Sequence, residues 1–218
     1  MLAASPLQLA FAADAELESA VAEDYCSHLG PLFDQFLRNP ELSVTETNTA
    51  ARLAAEMRQA GFEVTEGGGG TGIAAIMRNG RGALLMMRAD RGGLSVIKKS
   101  GLAIASTITA KDREGNLAPV MHACGHDVHI TSLVGTARQM AARRTHWSGT
   151  LMLIGQPAEE RIGGARAVIK DRLWERSGKP VYALAFHVDA NTATGKLVAI
   201  EGSPVQRRIS FPMRRSCN

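Results

Sequence analysis

The chain has 218 residues, 45% of them hydrophobic, enough for one good core or two small domains and too apolar for a disordered chain. Its 25 basic and 21 acidic residues leave a net charge of +4, too mild and scattered to mark a nucleic-acid surface. No apolar run approaches the roughly 18 residues of a membrane span, and the cysteines Cys26, Cys124 and Cys217 are too few and too far apart for a disulfide scaffold.

Residues 1–14 are small and apolar, and read either as a clipped signal peptide ending near Ala12 or as the alanine-rich start of a helix, which leaves location as cytoplasmic or exported. Apolar spacing predicts a helix over 15–37 with a break at Gly30-Pro31. A second helix is expected over 43–59, with Ser43 as its N-cap and Glu46 three places on in a capping-box pattern. Short strands follow at 62–64 and 72–77, joined by the glycines 67–70, which lack the lysine and following helix of a phosphate loop. After the turn Asn79-Gly80, the run 83–89 reads as a buried strand ending at Asp90. That acid is either a ligand-facing group at a strand end or a turn former before Gly92-Gly93. Residues 94–118 read as loop with short extended pieces, ending in a hairpin-like stretch.

Between Pro119 and Ala137 the chain carries His122, Cys124, His126 and His129 within eight residues, ahead of a helix over 127–142 that Asp127 is placed to cap. Thiolate and imidazole suit zinc and other borderline metals, whereas magnesium and calcium prefer all-oxygen sites. The strand 147–154 runs into Glu159-Glu160, a pair able to divide metal ligation from proton transfer, or simply to open a solvated helix continuing over 163–173. The strand 181–186 ends at His187. Such junctions gather on one edge of a parallel sheet, which makes Cys124, His126, Glu160 and His187 a metal-ligand set.

The motifs RNPELS (38–43), RAD (88–90), PVMHACGHDVH (119–129), GQPAEE (155–160) and FHVD (186–189), in this order, resemble the M20 metallopeptidase family, in its amidohydrolase branch of aminoacylases, hippurate hydrolases and indoleacetyl-amino-acid hydrolases. The resemblance covers roughly residues 20–203. It implies an α/β fold with a mostly parallel sheet flanked by helices, the zinc-peptidase-like catalytic domain. Two divalent metal ions, zinc, manganese, cobalt or nickel, are implied on Cys124, His126, Glu160 and His187. Glu159 is implied as the general base acting on a metal-activated water, and Asp90 as the acidic catalytic residue that supports the site. His129 is either a further supporting group or a helix residue packing inward, with packing preferred. Where the family continues RAD with Met-Asp-Ala-Leu-Pro, this chain has Arg91-Gly92-Gly93-Leu94-Ser95, and Leu37 stands where a histidine is usual.

Family members run to about twice this length, with a lid domain and a second catalytic segment after the region matched here. The expected domains are therefore 1–14 as leader or disordered start, 15–203 as the N-terminal part of the catalytic domain, and 204–218 as an atypical basic tail resembling a frameshift product, with Arg207, Arg208, Arg214 and Arg215. The implied function is metal-dependent hydrolysis of N-acyl amino acids or related small amides. The alternative is a non-catalytic fragment that keeps metal ligands without a complete pocket. Its partners would be the small substrate and, through exposed edges, other copies of itself; nucleic acid, a membrane span and the family's lid-mediated dimer are not expected.

Overall fold

The computed structural model describes residues 14–193, 196–198 and 210–212; the reading of residues 1–13 as a leader, and nearly all of the basic tail, lie outside them. The chain opens with α1 (Ala15–Asp24), a π-helical turn at Tyr25–Leu29, and α2 (Gly30–Arg38). Gly30-Pro31 does not break this segment: the helical backbone runs on through the π-helical turn, where the Gly30 N–H reaches back to the Tyr25 carbonyl, and Pro31 falls in the first turn of α2 directly after it. The next helix, α3 (Thr47–Gln59), starts later than Ser43. Glu41 caps it, its two carboxylate oxygens accepting from the Asn48 and Thr49 amides at 3.1 and 2.7 Å.

β1 (Glu63–Gly68) and β2 (Gly72–Asn79) form a hairpin, followed by β3 (Leu84–Asp90). A small hairpin of β4 (Thr109–Lys111) and β5 (Leu117–Pro119) leads to α4 (His126–Ala142). Then come β6 (Gly149–Gln156), the short helices α5 (Gly164–Lys170) and α6 (Leu173–Ser177), and β7 (Tyr182–Ala185). The helix expected over 163–173 is thus two pieces, divided where Arg172 takes a left-handed conformation at φ 66°. Last, β8 (Lys196–Val198) pairs antiparallel with β9 (Ser210–Pro212).

The main sheet has the order β1-β2-β6-β3-β7 and is mixed, which corrects the expectation of a mostly parallel sheet. β3 pairs in parallel with β6 and β7, but β1–β2 and β2–β6 are antiparallel, as are both small hairpins. The cause is the short glycine connection at 69–71: a tight turn can only return the chain antiparallel, whereas parallel neighbours need a crossover. β2 then runs against β6, next to it in the sheet but far from it in sequence.

Both faces of the sheet are covered, so its central strands are continuously apolar. On β6, Leu151 and Leu153 join a core with Leu53 and Met57 of α3 and Ile130, Leu133 and Val134 of α4, while Met152 and Ile154 face Val168 and Leu173 on the other side. Among the described residues no helix is long and apolar enough to cross a membrane. Leu153 is fully buried at the centre of the larger core. Its replacement by alanine is expected to lower unfolding stability by about 2–5 kcal/mol in a urea titration.

Candidate metal centre

The parallel register of β3, β6 and β7 brings their carboxyl ends to one edge: Asp90 lies opposite Gln156, and Arg88 opposite Ala185. The antiparallel β2 begins at the same edge, where Ile73 pairs with Gly155. α4 starts here too. Gly125, just before it, has φ 73°, and a Cβ there would lie 2.4 Å from Val188 Cγ2, so glycine lets the segment after β7 press onto the helix start.

His126 is the hub. It is fully buried, and its Nδ1–H donates to the Gly92 carbonyl at 2.7 Å, which fixes the tautomer and turns the Nε2 lone pair to the interior. That Nε2 has no hydrogen-bond partner, yet it lies 3.7 Å from Asp90 Oδ1 and 3.8 Å from both Glu159 Oε2 and Glu160 Oε1. Glu160 Oε1 is likewise buried and unpartnered. Electron-pair donors from three chain segments converge without a proton between them, which is the arrangement a cation satisfies.

Two groups of donor atoms lie within 4.8 Å of one another: Cys124, His126 and Glu160, and Asp90, His126, His129 and His187. The chemistry of these donors, thiol, imidazole and carboxylate sharing one histidine, fits two divalent transition-metal ions. The structure brings Cys124, His126, Glu160 and His187 to this edge and adds Asp90 and His129 to them. His129 is fully buried; its Nδ1–H donates to Asp90 Oδ1 at 2.5 Å and its Nε2 accepts from the Val188 amide at 3.0 Å. The sequence signal for His129 was its spacing of three from His126, which puts both rings on one face of α4. His187 is exposed and donates from Nδ1 to the Val188 carbonyl, its ring 4.5 Å from that of His129. Glu159 is about one-third exposed, at the lip of the site.

The electrostatics follow from the crowding. Burial alone would raise Asp90, but the hydrogen bond from His129, the neighbouring His126 ring and the Arg88 charge bring it down to about 2, so it is ionised. The adjoining Glu160, then burial and the charges of Glu159 and Asp90, push the Cys124 thiol up to about 11; a cation among these groups reverses that sign. His122 was not assigned a role by its spacing. It is buried with neither ring nitrogen hydrogen-bonded, and burial, then His126 and Lys98, hold it down to about 3, hence neutral.

A sequence profile of peptidase family M20/M25/M40 matches residues 98–203. The chain is similar to the hippurate hydrolase of Campylobacter jejuni, 38% identical over 143 residues that make up 65% of this chain and 34% of that protein. It is similar to the IAA-amino acid hydrolase ILR1-like 2 of Arabidopsis thaliana, 31% identical over 166 residues, 76% of this chain and 35% of that protein. In three dimensions it matches YXEP of Bacillus subtilis, a dinuclear metal-binding peptidase of the M20 family, with a TM-score of 0.67 and 27% identity across 84% of this chain and 46% of that one. The chain therefore spans between about a third and a half of the length of these relatives.

Asp90 accepts from Arg88 at 2.7 Å on its other oxygen, so it is the shared acceptor of two donors. Asp90→Ala is expected to cost about 3 kcal/mol of unfolding stability by leaving those donors unpaired. Combined with His129→Ala, the losses should be less than additive in a double-mutant cycle.

Proposed function

This chain belongs to peptidase family M20/M25/M40, and from that premise we propose that it carries out metal-dependent hydrolysis of the amide bond of N-acyl amino acids or related small amides. The observation that carries this reading is the unpartnered His126 Nε2 facing the carboxylates of Asp90, Glu159 and Glu160 at 3.7–3.8 Å. Cys124, His126, Glu160 and His187 are the proposed ligands, with Asp90 and His129 supporting them from within the same cluster. When bound, two divalent metal ions would supply Lewis acidity for lowering the pKa of water and polarising the amide carbonyl.

The chain's own groups divide the remaining work. Gly92 holds the His126 ring by its carbonyl, and Asp90 does the same for His129, so both imidazoles meet the site in one orientation. Glu159, more exposed than Glu160, is the proton carrier. Its carboxylate takes the proton of the attacking water and gives it to the departing amine nitrogen, yielding a carboxylate and a free amino acid. Glu160, deeper and beside Cys124, is suited to ligation. The N-acyl amino acid class is supported by the likeness to a hippurate hydrolase and an IAA-amino acid hydrolase, enzymes named for hydrolysing acylated amino acids.

The purified chain loaded with manganese, zinc or cobalt is expected to hydrolyse an N-benzoyl or N-acetyl amino acid and to lose that activity to a chelator. Glu159→Gln should lower kcat by about 10²–10⁴ while metal stays bound. Turnover untouched by that substitution would overturn the role of Glu159. Stoichiometric metal without turnover by the wild-type chain would favour the non-catalytic reading.

A further inference from the structure

Glu46 lies just before α3, yet it caps nothing: its side chain makes no bond to that helix, whose first amides are taken by Glu41. It is fully buried instead, and both its oxygens are used elsewhere. Oε1 accepts the Ala158 amide N–H at 2.8 Å, across 112 residues of sequence, and Oε2 accepts the Thr71 hydroxyl at 2.9 Å. Arg91 is also fully buried; it donates to the Thr71 carbonyl at 2.5 Å, and its charge is balanced by Glu46 and Glu41. Four separate segments thus meet in one buried polar network.

Ala158 is the informative member. It sits at φ 48°, ψ 40°, a left-handed conformation that a residue with a Cβ seldom adopts, and it immediately precedes Glu159-Glu160. Ile162, on the far side of the same turn, is also left-handed at φ 53°. The turn leaves little slack, since a Cβ on Gly164 would lie 1.6 Å from the Pro157 carbonyl oxygen. A strained turn persists only where its surroundings hold it, and the Ala158 amide is held by the Glu46 carboxylate. Glu46 also backs the other side of the site: a Cβ on Gly92, whose carbonyl orients His126, would lie 3.3 Å from Glu46 Oε1.

We propose that Glu46, kept in place by Thr71 and Arg91, is a positioning residue that sets the Glu159-Glu160 turn by anchoring the Ala158 amide. The proposal rests on the reading of Glu160 as a metal ligand and Glu159 as its neighbouring base. It assigns Glu46 no contact with metal or substrate.

The test titrates the full chain with cobalt(II), following the thiolate-to-cobalt charge-transfer absorption contributed by Cys124, and separately follows amide hydrogen exchange of residues 158–162 without added metal. Glu46→Ala is expected to weaken cobalt binding roughly ten- to hundredfold and to speed exchange in that segment. Glu46→Gln keeps an oxygen acceptor and should bind cobalt close to the wild-type affinity. Adding Ala158→Gly to Glu46→Ala should recover much of the lost affinity, because glycine takes the left-handed conformation without an external anchor; a general loss of stability would show no such rescue. Unchanged exchange in Glu46→Ala, or no recovery with glycine, overturns the proposal. Should the wild-type chain bind no cobalt, the metal reading fails, and exchange at 158–162 alone decides whether Glu46 anchors the turn. Should Glu46→Ala not fold, Thr71→Val, which removes the donor to Oε2, takes its place: faster exchange at 158–162 supports the anchor and unchanged exchange overturns it.

Discussion

β3 is paired in parallel on both sides, with β6 and with β7, and the site depends on that register. The pairing of Asp90 with Gln156 places the turn carrying Glu159 and Glu160 beside the acid that ends β3. The pairing of Arg88 with Ala185 delivers the segment holding His187 and Val188 from the other side. A slip by one residue would reverse every side chain of β3, sending Asp90 away from His129 and exchanging Leu85 and Met87, which pack on one core, with Leu84 and Met86, which pack on the other. The packing of Leu151 and Leu153 on one face and Met152 and Ile154 on the other therefore holds the chemistry in register as well as stabilising the fold.

Around that edge the protein collects groups that repel or starve one another. Asp90 is supported by Arg88 and His129, and Glu46 by Thr71, Ala158 and the charge of Arg91. His126 Nε2 and Glu160 Oε1 are left with nothing. Buried polar atoms without partners oppose folding, and their concentration at one point beside two strained non-glycine residues is the usual mark of a functional site rather than of a core assembled for stability. Metal ions resolve the conflict by supplying the positive charge that the surrounding donors lack.

Arg91 illustrates a local substitution with a structural consequence. It stands where the family pattern has methionine, yet it is wholly buried, because Thr71 and the Glu46 and Glu41 carboxylates give its charge a setting. The same position thus links the end of β3 to the hairpin loop before β2 and to the segment before α3. The Arg91 side chain passes beside Gly155, where a Cβ would lie 3.4 Å from Arg91 Cδ but only 2.7 Å from Leu53 and 2.8 Å from Ile73.

Residue chemistry and local spacing were enough to identify most of the helices and strands, the family, and the dense run from His122 to His129 as the centre of interest, because periodicity and motif order are properties of the chain alone. Sheet direction was legible only in part: the turn at 69–71 makes β1 and β2 antiparallel by local geometry, whereas the antiparallel pairing of β2 with β6 joins strands far apart in the chain. His129 could be placed on the His126 face of α4 by spacing, but its bond to Asp90 joins residues 39 apart. Glu46 looked like half of a capping box, and became the anchor of Ala158 only when chain segments 112 residues apart were packed together. Residue order specifies which donors exist and which short segments carry them; folding selects which donors face one another, because hydrogen-bond partners and charge neighbours are set by distance in space, which residue order does not encode directly.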